Sequence, residues 1–122
     1  MIAFIKTLFG MGGEQVDVHE AVRRINAGAV LVDVRGTQEF THGHAPQALH
    51  LPVTDIQGDH ASLCRTLKLA PETREVLLIC ASGMRSRLAQ NRLSGNSACR
   101  YVNVSGGMAA WAAAGLPVKR RN

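Results

Sequence analysis

The chain has 122 residues, of which 46% are hydrophobic and only 4% aromatic; this suffices for one continuous core built mainly from Ala, Val and Leu, and points to a single domain. Its 14 Lys plus Arg against 9 Asp plus Glu give a formal charge of +5, which attracts anionic partners at long range. The arginines are scattered, without the dense basic stripe interleaved with aromatics that marks a nucleic-acid binder. The three cysteines, Cys64, Cys80 and Cys99, cannot form a fully paired disulfide framework and match no zinc spacing. A reducing, cytoplasmic setting without a metal centre is the simpler expectation.

Residues 1–9 are apolar apart from Lys6 and Thr7. The run is too short to span a bilayer, and a lysine inside it with no small-x-small cleavage pattern after it argues against a signal peptide. Ile2, Ile5, Leu8 and Phe9 share a face if the segment is helical. A short arm packed on the domain explains that pattern more simply than contact with a membrane or a partner. Gly10, Gly12 and Gly13 follow as a hinge, so residues 1–13 are read as arm and hinge, 14–118 as the domain and 119–122 as a solvated basic tail.

Gln15 to Val18 reads as a short strand or its end. Asp17 with Glu20 has the spacing of a helix-capping box, opening a helix that runs to about Ala27 with Val22 and Ile25 on one face and Gly28 as its stop. Ala29 to Asp33 is a continuous apolar run of strand length, the pattern of a strand buried on both faces. Gly36 to Gly43 reads as a short helical turn, Ala48 to Val53 as a short strand ending near Pro52, and Leu63 with Leu67 as a further helix. Pro71 breaks the chain before Glu75 to Cys80, the strongest strand signal. Met84 to Leu93 has helical spacing with Leu88 and Leu93 inward and Gly95 beyond its end. Arg100 to Val104 is a last strand, after which Gly106 and Gly107 turn into a small helix carrying Met108 and Trp111, stopped by Gly115 and Pro117.

Strands alternating with helices imply parallel pairing and right-handed crossovers in one α/β domain. In such sheets ligands bind outside the carboxyl ends of the strands, where both Asp33 and Cys80 fall. A buried strand that ends in Cys80 and passes through Ala81, Ser82, Gly83, Met84, Arg85 and Ser86 into a helix sets the sulfur beside free backbone N–H groups, an anion cradle. The helix dipole and Arg85 both favour thiolate over thiol. A thiolate so placed attacks a sulfur that bears a good leaving group and holds it as a persulfide, whose charge the same N–H groups stabilise, with no cofactor or metal required. Gly83 allows positive φ, and Ser86 can bond to backbone or to the anion.

Cys80-x-x-Gly83-x-Arg85-Ser86 resembles the active loop of the single-domain rhodanese family. Three further stretches fall in family order: Val32-Asp33-Val34-Arg35 with Glu39-Phe40, Gly43-His44 with Pro46 and Ala48, and Gly106-Gly107 with Trp111. The resemblance implies a five-stranded parallel sheet flanked by helices on both faces, Cys80 as sulfur carrier, residues 81–85 as its anion-binding surround, and Asp33 and Arg35 as support. It implies a sulfurtransferase that moves sulfane sulfur from thiosulfate or a persulfide donor to a thiol, cyanide or a carrier protein. The family's Gly-His-Ile-Pro-Gly-Ala stretch stands here as Gly43-His44-Ala45-Pro46-Gln47-Ala48, a departure that concerns packing more than chemistry.

Two other functions compete. Cell-cycle phosphatases that look like rhodaneses place five residues between Cys and Arg; here four intervene, a cradle better sized for sulfur than for phosphate, and no general acid is evident. A docking module that has lost its chemistry would not need the intact loop. Of the remaining residues, Cys99 is read as structural rather than as a resolving thiol, Arg87 as solvated, Arg85 as an anion contact ahead of a surface ion pair, His44 as a structural hydrogen-bonder rather than a metal ligand with His42, Asp33 and Arg35 as an internal brace, and Trp111 as core.

Overall fold

The computed structural model describes residues 13–95 and 98–121; the apolar arm of residues 1–9 lies outside them. Five strands, β1 (Gln15–Val16), β2 (Val30–Asp33), β3 (Leu49–His50), β4 (Glu75–Ile79) and β5 (Arg100–Val104), form one sheet in the order β1-β5-β4-β2-β3. Every pairing is parallel. Helices α1 (Val18–Asn26), α2 (Thr37–His42), α3 (His60–Leu67), α4 (Met84–Leu93) and α5 (Gly107–Ala113) alternate with the strands. None of the described helices is long and apolar enough to cross a membrane.

Strand alternation divides the core in two. Leu31, Leu77, Ile79, Val102 and Val104 face α1 and α5 and close around the fully buried Trp111. Val32, Val34, Val76, Leu78, Cys80 and Tyr101 face α3 and α4, where Leu63, Ala89 and Leu93 cover them. Cys80 therefore ends the strand on the α3/α4 side. Trp111 donates its indole N–H to the Pro117 carbonyl at 2.8 Å, which folds the chain after α5 back onto the core.

Most expected elements form where the sequence sets them. Asp17 caps α1 by accepting the Glu20 N–H at 2.9 Å, and Val22 and Ile25 pack against the α1/α5 core. Two details differ. The expected strand from Ala48 to Val53 shrinks to Leu49–His50, followed by a 3-10 turn at Val53–Asp55. Leu88, expected inward, is 45% exposed. The buried face of α4 is Ser86, Ala89, Gln90 and the expected Leu93, and Leu88, about 100° around the helix from Ala89, falls outside it. Gln90 can lie there because its amide donates to the carbonyls of Glu14 and Tyr101, both at 2.8 Å.

The basic end is exposed in its side chains but anchored by its backbone. His44 and Lys119 exchange hydrogen bonds at 2.9 and 2.8 Å, and the Arg121 N–H reaches the Thr41 carbonyl at 3.0 Å.

Candidate active site

The loop after β4 is held from two sides. The N–H groups of Met108 and Ala109, in the first turn of α5, donate to the carbonyls of Cys80 (2.8 Å) and Ala81 (3.1 Å). In a trans peptide the N–H points opposite to the C=O, so this turns the loop's own N–H groups the other way, toward the sulfur. From β5, the Asn103 amide donates to the Gly83 carbonyl at 3.2 Å. Gly83 takes φ of 107°, a conformation open to glycine, and its N–H meets Cys80 Sγ at 3.1 Å.

Gly107 carries the tightest constraint. A Cβ there would stand 2.3 Å from the Cys80 carbonyl oxygen and 2.7 Å from the Ala81 carbonyl, at φ of +55°. Both obstacles are backbone. Gly107→Ala is expected to lower stability by about 2–4 kcal/mol, combining left-handed strain with overpacking, and to slow Cys80 alkylation as the loop is displaced; denaturant melts and labelling rates measure both.

Cys80 is 1% exposed, and Ser86 and Asn103 beside it are 0% and 2% exposed. The Ser86 hydroxyl lies 3.3 Å from Cys80 Sγ and donates to Asn103 Oδ1. Burial pushes the Cys80 thiol up, but the Ser86 hydroxyl and the N–H groups of Ser86, Gly83 and Ser82 outweigh it and leave the pKa below the ordinary thiol value. The other two cysteines go the opposite way: burial raises Cys64 and pushes Cys99 up to about 11. At neutral pH iodoacetamide is accordingly expected to label Cys80 ahead of both, with Cys99 reacting only as the pH approaches its own value; peptide mass mapping across pH reads this out. Cys99 also precedes β5, at the amino end of the sheet, about 16 Å of strand away from the loop.

The structure sets Cys80 and residues 81–86 after β4, with Asp33 at the end of the neighbouring β2 and Arg35 just beyond it, and it gives Arg85 a partner other than the sulfur. Arg85 does not reach over the sulfur: its guanidinium forks onto Glu39 at 2.7 and 2.8 Å. That pairing, resisted by burial and aided by the Gly36 N–H, holds the Glu39 carboxyl at about 2. Ser82 and Met84 are exposed at the rim, and Ala81 is half-buried.

Asp33, at the end of β2, and Arg35 form a buried ion pair. Asp33 is fully buried and accepts from the Arg35 backbone N–H and Nε, both at 3.0 Å, and from Nη2 at 2.8 Å, while Nη2 also reaches the Gly43 carbonyl at 2.6 Å. His44 donates Nδ1–H to the Phe40 carbonyl at 2.6 Å and stacks on the Phe40 ring. His42 donates likewise to Gln38. Among the described residues no group of three His, Cys, Asp or Glu side chains is placed to hold a metal ion.

Asn103 and the Glu39 partner of Arg85 go beyond the sequence expectation, and Arg87, expected to be solvated, donates to Gln15 Oε1 at 2.8 Å. Arg87, Gln15, Gly83, Met84, Asn103 and Ser105 border an open cavity of about 350 Å³. Cys80 is not part of its wall, so this space neighbours the sulfur site without containing the sulfur. The signal for Asn103 was available: a polar residue inside the apolar run Tyr101-Val-Asn-Val104 must find partners when buried.

A family model described as rhodanese-like domain matches residues 17–114. A sulfurtransferase of Allochromatium vinosum is 37% identical over 89 residues, covering 73% of this chain and 77% of its own. The thiosulfate sulfurtransferase GlpE of Actinobacillus pleuropneumoniae is 29% identical over 106 residues, covering 86% and 92%. A solved thiosulfate sulfurtransferase from Pseudomonas aeruginosa shares the fold at a TM-score of 0.76 and 18% identity, covering 98% of this chain and 22% of that one. With that family model matched over residues 17–114, the chain belongs to the rhodanese-like domain family.

Proposed function

We propose that the chain is a sulfurtransferase in which Cys80 carries sulfane sulfur as a persulfide. The observation that carries this reading is a buried sulfur that meets the Gly83 N–H at 3.1 Å and the Ser86 hydroxyl at 3.3 Å, with the N–H groups of Ser82 and Ser86 also favouring its charged form. Thiosulfate is the donor we favour, as in the relative from Actinobacillus pleuropneumoniae. The Cys80 thiolate attacks the outer sulfur of thiosulfate; the Cys80 S–S bond forms, the donor S–S bond breaks, and sulfite leaves with the electron pair. The charge then rests on the outer sulfur, where the loop N–H groups stabilise it. A cyanide ion, a thiolate or a sulfur-carrier protein takes that sulfur and returns the Cys80 thiolate, so no proton or electron is consumed overall.

In this reading residues 81–86 form the anion surround, Arg85 ties the loop to α2 through Glu39 and meets an anionic donor only by exchanging that partner, and Asp33 with Arg35 supports the loop. Three free thiols suit a reducing compartment such as the cytoplasm. The phosphatase reading is weaker. Asp33 and Glu39, carboxylates close to the loop among the described residues, are each engaged by an arginine, which leaves a phosphoester leaving group without an acid.

Incubation with thiosulfate and cyanide tests the proposal. Catalytic formation of thiocyanate and sulfite, with no hydrolysis of an aryl phosphate, is expected. Phosphate release without thiocyanate would reverse the assignment.

A further inference from the structure

The Ser86 hydroxyl has one proton and two neighbours that accept it. One is Cys80 Sγ at 3.3 Å and the other is Asn103 Oδ1. All three groups are buried. The orientation of Asn103 is set by its other end, since Nδ2 donates to the Gly83 carbonyl at 3.2 Å and so Oδ1 must face Ser86. When Ser86 donates to Asn103, the sulfur receives nothing from it and, as a thiol, gives its own proton to Ser86 Oγ. When Cys80 ionises, the hydroxyl turns to the thiolate and a buried amide oxygen loses its donor, an unfavourable state.

Persulfide formation changes the balance. Sγ becomes a neutral, two-bonded sulfur and a poor acceptor, while the charge moves to the outer sulfur. The hydroxyl is then free to return to Asn103. We infer that Asn103 is a positioning residue whose Oδ1 accepts the hydrogen bond of the Ser86 hydroxyl whenever Cys80 Sγ carries no charge, and thereby favours the sulfur-loaded enzyme over the free thiolate. This rests on the persulfide reading of Cys80.

Among the described residues, charged groups near the loop include Arg85 and Arg87 from α4, Glu39 from α2, Asp33 at the end of β2 and Arg35 just after it. Glu39, held at about 2, stays ionised throughout a titration of the thiol. A shift caused by Asn103 can therefore be read against a constant background.

The experiment compares wild type, Asn103→Leu, Ser86→Ala and the double variant by ultraviolet thiolate absorbance against pH, with Cys80→Ser subtracted. It also compares the persulfide fraction, by intact mass, at fixed thiosulfate and sulfite. Asn103→Leu is expected to ease Cys80 ionisation roughly three- to tenfold, the size of one neutral hydrogen bond, and to lower the loaded fraction by a similar factor. Neither change should appear when Ser86 is already Ala. A residue that merely held the loop through Gly83 would do the reverse, hindering ionisation when removed, and that result, or an equal effect in the Ser86→Ala background, overturns the inference. Should Asn103→Leu fail to fold, the wild type decides: the side-chain amide NMR signal of Asn103 should move as Cys80 ionises and return on sulfur loading, and a signal indifferent to both contradicts the inference. Wild type that never gains sulfur from thiosulfate or from a persulfide donor would instead remove the underlying persulfide reading.

Discussion

Cys80→Ser is expected to reduce sulfur transfer from thiosulfate to cyanide by on the order of 10³-fold or more while leaving the fold intact. The two halves of that expectation have separate causes. A serine oxygen fits the place of a sulfur that is 1% exposed and keeps a partner in the Gly83 N–H, 3.1 Å from the present Sγ. It has no accessible anionic form near neutral pH, so everything that lowers the thiol pKa is wasted on it. Thiocyanate formation measures the first half and a thermal melt the second. A folded variant that kept a tenth of the activity would place the nucleophile elsewhere.

Arg35→Met is expected to destabilise the domain by about 3–5 kcal/mol, the range for removing one partner of a buried ion pair. Asp33 is fully buried and accepts four hydrogen bonds from three N–H donors of Arg35. Methionine keeps the backbone N–H contact and fills volume, but it leaves the carboxylate without a countercharge and the Gly43 carbonyl without its donor. Because Val34 follows Asp33 and pairs with Ile79 through the Ile79 carbonyl at 2.9 Å, the disturbance reaches the residue before Cys80. Urea melts give the stability, and Arg35→Lys separates charge from fork geometry by recovering only part of it.

Much of this was legible in the sequence because burial on both faces leaves little ambiguity. Runs such as Glu75 to Cys80 and Ala29 to Asp33 read as central parallel strands, and that is where they lie. The shape of the loop was legible, since Gly83 takes the expected positive φ and the Ser86 hydroxyl stands beside the sulfur; the role of Cys80 as nucleophile is proposed. What was hidden depends on partners distant in the chain. Leu88 looks inward by hydrophobicity, yet Gln90 occupies the core face because two carbonyls await its amide. Arg85 looks like the loop's own cation until Glu39, on a different helix, takes both its nitrogens. The activation of Cys80 falls instead to neutral donors, which carry no charge pattern to be read.

The intact mass of the reduced protein after brief incubation with thiosulfate, beside Cys80→Ser, tests the sulfur-carrier role of Cys80 directly. The wild type is expected to gain one sulfur, about 32 Da for a persulfide on an activated thiolate, and the variant none. A gain that survives the substitution would move the chemistry to Cys64 or Cys99 and contradict the assignment of Cys80 as the sulfur carrier.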